Sequence, residues 1–261
     1  AIEIMNELFE MAEKRDYSDS CDTCKNGDPN VEVSKVGVAM VATPEVIREV
    51  KEWGAQLLIT HEPTYYNHLE EHSDEKIENK KREIIQESGI TIYRYHDHPH
   101  YTKPDIIAAG QLKKLDLKGE IEYTDTFDLV RLYLETPITP VELAKHIEKK
   151  CGIKHVRISG ARNSPCTVIS ALFGASGLEF EELKHDNSEI VLTGETCEWI
   201  CAEYARDAAQ LGYNKALIIM GHIGSERDGM EYVAELLKIK HPEIDVKYFE
   251  CGEVYSYADI E

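Results

Sequence analysis

Four apolar runs in this chain each end in residues that can hold a metal ion. LLIT leads into His61-Glu62-Pro63, and TIYRY leads into His96-Asp97-His98-Pro99-His100. EIVLT leads into Gly194-Glu195, and ALIIM leads into Gly221-His222-Ile223-Gly224-Ser225-Glu226. Imidazole and carboxylate are the donors that borderline divalent metals take from proteins. A single histidine after a strand is usually a cap or a surface residue. Three histidine-bearing clusters at equivalent places are more informative than any one of them. His222 and Glu226 are four apart, so a helix starting near Ser225 would carry them at its leading turn, where Glu226 also suits the helix dipole. Simple capping accounts for Glu195. At least one histidine of the HDHPH run is expected in the site, the alternative being a solvated loop, since the run carries no helical or strand constraint.

The elements that must position these residues alternate between strand and helix. Residues 33–43 form a buried strand. Val46, Ile47, Val50 and Trp53 have helical spacing over 44–54, with Thr43 as the N-cap and Pro44 at the first helical position. A strand over 55–60, a charged helix over 74–88 closed by Gly89, and a strand over 91–95 complete a βαβαβ rhythm. That rhythm predicts an α/β fold of mostly parallel sheets flanked by helices. In such sheets ligands collect beyond the carboxyl ends of the strands, where the clusters stand.

The middle reads as α+β, with strands over 120–126, 128–135, 155–159 and 167–174 and a helix over 140–150 ending at Gly152. The last third returns to strands over 189–193, 215–220 and 245–250, with helices over 195–211 and 225–240. Three consecutive segments follow: a first α/β lobe (1–110), an α+β middle segment (111–180) and a C-terminal α/β part completing the metal site (181–261).

Composition narrows the function. The net charge is −20, from 29 basic and 49 acidic residues, a field that repels a phosphate backbone and excludes nucleic acid as the expected ligand. No apolar run is long enough for a transmembrane helix, so no membrane partner is expected. The acidic start lacks the pattern of a signal peptide, and a cytoplasmic protein is expected. Seven cysteines suggest reduced thiols rather than a disulfide framework. Cys21-x-x-Cys24 sits in the turn-rich stretch SDSCDTCKNGDPN and reads as loop cysteines, with a redox pair or a lone metal clip as alternatives.

Familiar motifs do not fit. His61-Glu62 begins an HExxH-like string, but position 65 is Tyr and the segment ends a strand rather than forming a zincin helix. The HxHxH string lacks the eight βα units of an amidohydrolase, and also the following Asp-His pair of a metallo-β-lactamase. No GxxxxGK[ST] string marks a P-loop.

Nearly the whole chain resembles the NIF-three-like family, in places described as type 2 GTP cyclohydrolase I. LLITHEP resembles the family's LLITHHP, and YRYHDHPH stands where the family has H-T-N-x-D. SALFGASG resembles its GGSG turn, IVLTGE its TGE/TGD, and MGHIGSE its GH-x-x-x-E. The resemblance implies two metal ions in a shared site. His61, His222 and a bridging Glu226 would hold one ion. Glu62 and His100, with the same Glu226, would hold the other. At Glu62 the family has His and at His100 it has Asp, so the two ligand types are exchanged while the inventory is kept. A decayed site would instead fill with non-ligands. The family often has a further His soon after TGE; the matching place here is near Cys197–Trp199.

The leading expectation is a dinuclear metal-dependent hydrolase acting on a small molecule that is nucleotide-like, a phosphoester or a cyclic amide. Its two divalent ions would be Zn, Mn, Fe or Ni, which activate water and clamp substrate oxygens. His96 or His98 would carry protons. The alternative is a non-catalytic metal-binding or regulatory protein. The resemblance also implies a homohexamer.

Overall fold

Strand β2 (Lys35–Ala39) lies between two parallel neighbours, and the C-terminal strand of the chain supplies one of them. A computed structural model describes residues 1–69 and 73–258. The chain forms two units, Ala1–Ile107 with Gly229–Glu261, and Ala108–Asp228. The three consecutive segments of the sequence reading divide the chain along its length. The units divide it in space, because β11 (Asp245–Phe249) leaves the C-terminal segment to pair with β2.

The first unit holds α1 (Ile2–Phe9), β1 (Cys24–Asn26), β2, α2 (Pro44–Trp53), β3 (Leu57–Thr60), α3 (Lys76–Ser88), β4 (Thr91–Arg94) and α4 (Asp97–His100). Its sheet has the order β1-β4-β3-β2-β11. All its neighbours run parallel except β1, which is antiparallel to β4. β3 and β4 are buried at every position, as strands covered on both faces must be. α2 forms where expected: Thr43 Oγ1 accepts from Val46 N at 3.1 Å, and Gly54 ends the helix with φ +83°. Its Val46, Ile47 and Val50 pack with Leu58, Ile85, Ile92 and Phe249.

The chain enters the second unit along α5 (Ile106–Leu115). There follow β5 (Gly119–Tyr123), β6 (Val130–Ile138), α6 (Pro140–Cys151), β7 (Arg157–Gly160), β8 (Cys166–Leu172), α7 (Glu179–Lys184) and β9 (Ile190–Thr193). A π-helical turn, Glu198–Ala202, leads into α8 (Glu203–Gln210), then β10 (Ala216–Ile219) and α9 (His222–Lys240), which carries the chain back. The sheet order is β5-β6-β8-β9-β10-β7, with β8, β9 and β10 parallel and the outer strands antiparallel. Alternation sorts its two faces. Ile190, Leu192 and Ile218 join Leu143 and Ile147 in one cluster, while Val191 and Leu217 join Leu172 and Leu183 in another.

The fold is therefore mixed α/β, two sheets flanked by helices. Four local expectations are corrected. The HDHPH run forms α4 after His96 rather than a loop, because a distant carboxylate caps it. α9 begins at His222, three residues earlier than read, since Gly221 with φ +91° turns the chain directly into it. The helix expected from 195 starts only at Glu198, after Glu195 has been drawn into other bonds. Cys24–Asn26, inside the turn-rich stretch, is a strand, with Asn26 Nδ2 donating to the Ile90 carbonyl at 2.7 Å. Among the described residues, no helix is long and apolar enough to cross a membrane.

Candidate metal centre

In the first unit the site grows from the adjacent ends of β3 and β4. Thr60 pairs with Arg94, so the next residues bring His61 beside Tyr95. The His61 Nδ1 lies 3.0 Å from the Tyr95 carbonyl oxygen. A carbonyl only accepts, so Nδ1 carries the proton and the lone pair sits on Nε2. Burial, with His96 and His100 close by, holds this imidazole well below its ordinary pKa, in the neutral form that binds metals. Arg94, itself fully buried, donates from Nε to the His61 carbonyl at 3.0 Å.

The HDHPH run splits by direction. Asp22 comes from the SCDTC stretch, and its carboxylate accepts from the backbone N–H groups of His96, Asp97 and His98 at 2.6, 3.1 and 2.8 Å. It thereby caps α4. His98 Nδ1 also meets Asp22, at 2.6 Å, and its ring is packed against Tyr17 and Phe9 with centroids 3.9 and 4.3 Å away. His98 is thus a packed, anchored histidine. His96 and His100 turn toward His61 instead: their ring centroids lie 4.7 and 5.2 Å from it and 5.7 Å from each other. His96 Nδ1 is held by Asp97 Oδ1 at 2.9 Å, and His100 Nδ1 by Asp105 Oδ2 at 2.9 Å. Burial raises the Asp97 carboxyl, but hydrogen bonds from His96 and Ser20 outweigh it and hold the group well below the usual carboxylate range. One donor atom each from His61, Glu62 and His96 lies within 4.8 Å of the others, so this cluster can hold an ion.

The second unit presents a different set. His222 opens α9, and its Nε2 lies 3.1 Å from Glu226 Oε2, one turn along the same helix face. Its Nδ1 is held by Glu195 Oε1 at 2.9 Å. Glu195 therefore orients an imidazole and does not cap a helix. Two glycines let the carboxylate of Glu226 approach. Gly174 has φ +66°, and a side chain on it would collide with that carboxylate. A side chain on Gly194 would strike the Gly174 carbonyl and the Ser225 hydroxyl, which accepts from Gly174 N at 2.9 Å. These contacts give the Gly-rich turn, TGE and GHIGSE stretches a shared physical reason: they fit together only without side chains. Beside Glu195 lies a cavity of about 390 Å³, lined by Glu179, Phe180, Cys197 and Ile200 among others.

Sequence reading singled out His61, Glu62, His96, His98, His100, His222 and Glu226, and of the three HDHPH histidines the structure turns His96 and His100, not His98, toward His61. It missed Asp22 and Asp105 and misassigned Glu195. Asp105 stands near its histidine in sequence, and a search for a carboxylate close behind each candidate ligand would have found it. Asp22 lies far along the chain from its histidine and carries no local signal; Glu195 stood out at a strand end, but its partner His222 is far along the chain. The Cys21 and Cys24 thiols face different partners, Asp97 Oδ1 at 3.5 Å and the Asn26 carbonyl at 3.2 Å, and burial raises both pKa values. That is not the arrangement of a reactive pair.

The fold and these clusters define an α/β protein with histidine–carboxylate groups able to bind metal. The chain belongs to the Duf34/NIF3 (NGG1p interacting factor 3) family, whose profile matches residues 1–253. It is 24% identical over 234 residues to a Clostridium perfringens protein named "GTP cyclohydrolase 1 type 2 homolog", covering 87% of this chain and 86% of that one. A solved structure described as protein ybgI, of unknown function, superposes with a TM-score of 0.78 at 18% identity, covering 96% of both chains. A Bacillus cereus protein related to NIF3 gives a TM-score of 0.77 at 15% identity, covering 99% of this chain and 98% of that one.

Proposed function

We propose that the chain is a dinuclear metal-dependent hydrolase of a small molecule, nucleotide-like, phosphoester or cyclic amide. By the family resemblance, His61, His222 and Glu226 would hold one ion, and Glu62, His100 and the same Glu226 would hold the other. The observation that carries this reading is the state of four imidazoles. His61, His96, His100 and His222 each have Nδ1 engaged by a carbonyl or carboxylate oxygen, at 2.9–3.0 Å. Such outer partners fix the tautomer and leave Nε2 as the donor, the usual arrangement around bound divalent metals. His98 also has Nδ1 held, by Asp22 at 2.6 Å, but its ring is packed against Tyr17 and Phe9, whereas the other four rings lie beside further metal donors.

When bound, the ions supply Lewis-acid activation of water and of the scissile group. The residues supply the rest. His96, paired with Asp97, is the proton carrier, because His98 is tied to Asp22 and its ring is packed against Tyr17 and Phe9. The cavity beside Glu195 has the size of a small-molecule pocket. The name of the clostridial relative points to a nucleotide-type ring as one class to test.

The test is metal content together with turnover. Purified protein is expected to hold two ions per chain and to hydrolyse a member of a panel of nucleotides, phosphoesters and cyclic amides. His222→Ala is expected to lose metal and turnover while circular dichroism stays unchanged. Tight binding of two ions with no turnover across the panel would instead establish a metal-binding or regulatory protein. Assembly as a homohexamer is expected from the resemblance, and light scattering checks it.

A further inference from the structure

Cys21 has no part in the dinuclear ligand set, yet it stands at the corner of two groups of metal donors. One donor atom each from Cys21, His68 and His96 lies within 4.8 Å of the others, and the same holds for Cys21, Asp22 and Asp97. We propose that Cys21, His68 and His96 form an additional cation site in the first unit, for a thiophilic d10 ion such as zinc, cadmium or cuprous copper.

The surroundings hold this trio in place. Asp22 joins the cysteine's segment to the residue after β4 by accepting from the His96, Asp97 and His98 backbone amides. Asp97 then ties the two donors together: its Oδ1 is 2.9 Å from His96 Nδ1 and 3.5 Å from Cys21 Sγ, and its Oδ2 accepts from the Cys21 amide at 3.3 Å. The carbonyl of His68 accepts from Arg94 Nη1 at 2.6 Å, so a buried guanidinium anchors the backbone that presents this exposed imidazole. The ring of His68 lies 5.3 Å from that of His96. Zinc asks for sulfur and nitrogen donors at roughly 2.0–2.3 Å, and a small closure of the trio supplies them. One thiolate and two neutral imidazoles, with the Asp97 carboxylate behind them, offset a divalent charge. Binding displaces the Cys21 thiol proton to solvent: the S–H bond breaks and the S–metal bond forms, with no redox change. Cys24 is turned away, onto β1, so the site is not a C-x-x-C clip.

The site does not depend on the dinuclear reading. Only one consequence does: an ion held here would occupy His96 and remove it as a proton carrier.

The experiment titrates cadmium into the full chain, reduced and stripped of metal. The expected result is an ultraviolet thiolate–cadmium charge-transfer band that saturates at one thiolate per chain. Cys21→Ser loses the band, and Cys24→Ser and Cys197→Ser keep it. Asp97→Asn weakens this cadmium by roughly 10–100-fold, the effect of losing an orienting carboxylate. His222→Ala keeps the band while losing the other ions, so failure of the dinuclear reading and failure of this site are separate results. Because Cys21 is buried, cadmium NMR on the unaltered chain gives a check without a variant: one resonance is expected in the range of a single sulfur with nitrogen donors. No band in the unaltered chain, a band that survives Cys21→Ser, or full cadmium affinity in His68→Ala would overturn the proposal.

Discussion

The first unit gathers imidazoles, whereas the second sets one imidazole between carboxylates. His61, His96 and His100 meet where two parallel strands end, and their Nδ1 partners are a carbonyl and two aspartates. His222 sits between Glu195 and Glu226 at the start of a helix. The two sets are also built differently. The first relies on polar anchoring, since Asp22 caps α4 and so separates His96 and His100 from His98. The second relies on the absence of side chains, since Gly174 and Gly194 open the space in which Glu226 and Ser225 lie. The difference teaches that one kind of donor chemistry can be positioned either by a buried charge or by close backbone approach, and that the two are vulnerable to different substitutions.

The strongest test of this contrast is Asp22→Ala. It leaves three amides and an imidazole without their acceptor, and the expected cost is about 3–5 kcal/mol, read as a lower urea midpoint. Metal binding by the His61 cluster should fall with it. A midpoint unchanged within error would show that α4 does not rest on this carboxylate. Gly174→Ala probes the other construction. A methyl group at positive φ, pressed against the Glu226 carboxylate, is expected to cost about 1–3 kcal/mol and to lower metal content. A variant with unaltered stability and metal content would remove the close-approach account.

Glu195→Gln keeps the volume and removes the charge behind His222. A roughly 10–100-fold weaker metal affinity, with stability unchanged, is expected from calorimetric titration. Equal affinity would return Glu195 to a surface role. The smallest effect is assigned to Thr43→Ala, which removes the cap of α2. About 1 kcal/mol of stability should be lost, with metal content untouched. A loss of metal there would mean that the clusters respond to general destabilisation and not to their own partners.

Much of the scaffold was legible because it depends on neighbours in sequence. Thr43 and Pro44 start α2, Gly54 ends it, and the apolar runs 55–60, 91–95 and 215–220 become strands with ligands at their ends. The family match over residues 1–253 agrees with that pattern. α5 and α7 escaped the reading, since one carries a helical glycine and the other spans only Glu179–Lys184. Within HDHPH, composition made the three histidines equivalent.

By itself the sequence determined which donor types stand at strand ends, and that His222 and Glu226 lie one helical turn apart. Both follow from the periods of strand and helix, which adjacent residues set. Only the tertiary structure decided that β11 pairs with β2, that His98 is packed while His96 and His100 face His61, and that Asp22, Asp105 and Glu195 anchor their histidines. The physical reason is that a buried hydrogen-bonding group must find a partner wherever packing brings one within about 3 Å. For the buried Asp22 that partner is distant along the chain, beyond the reach of any local pattern.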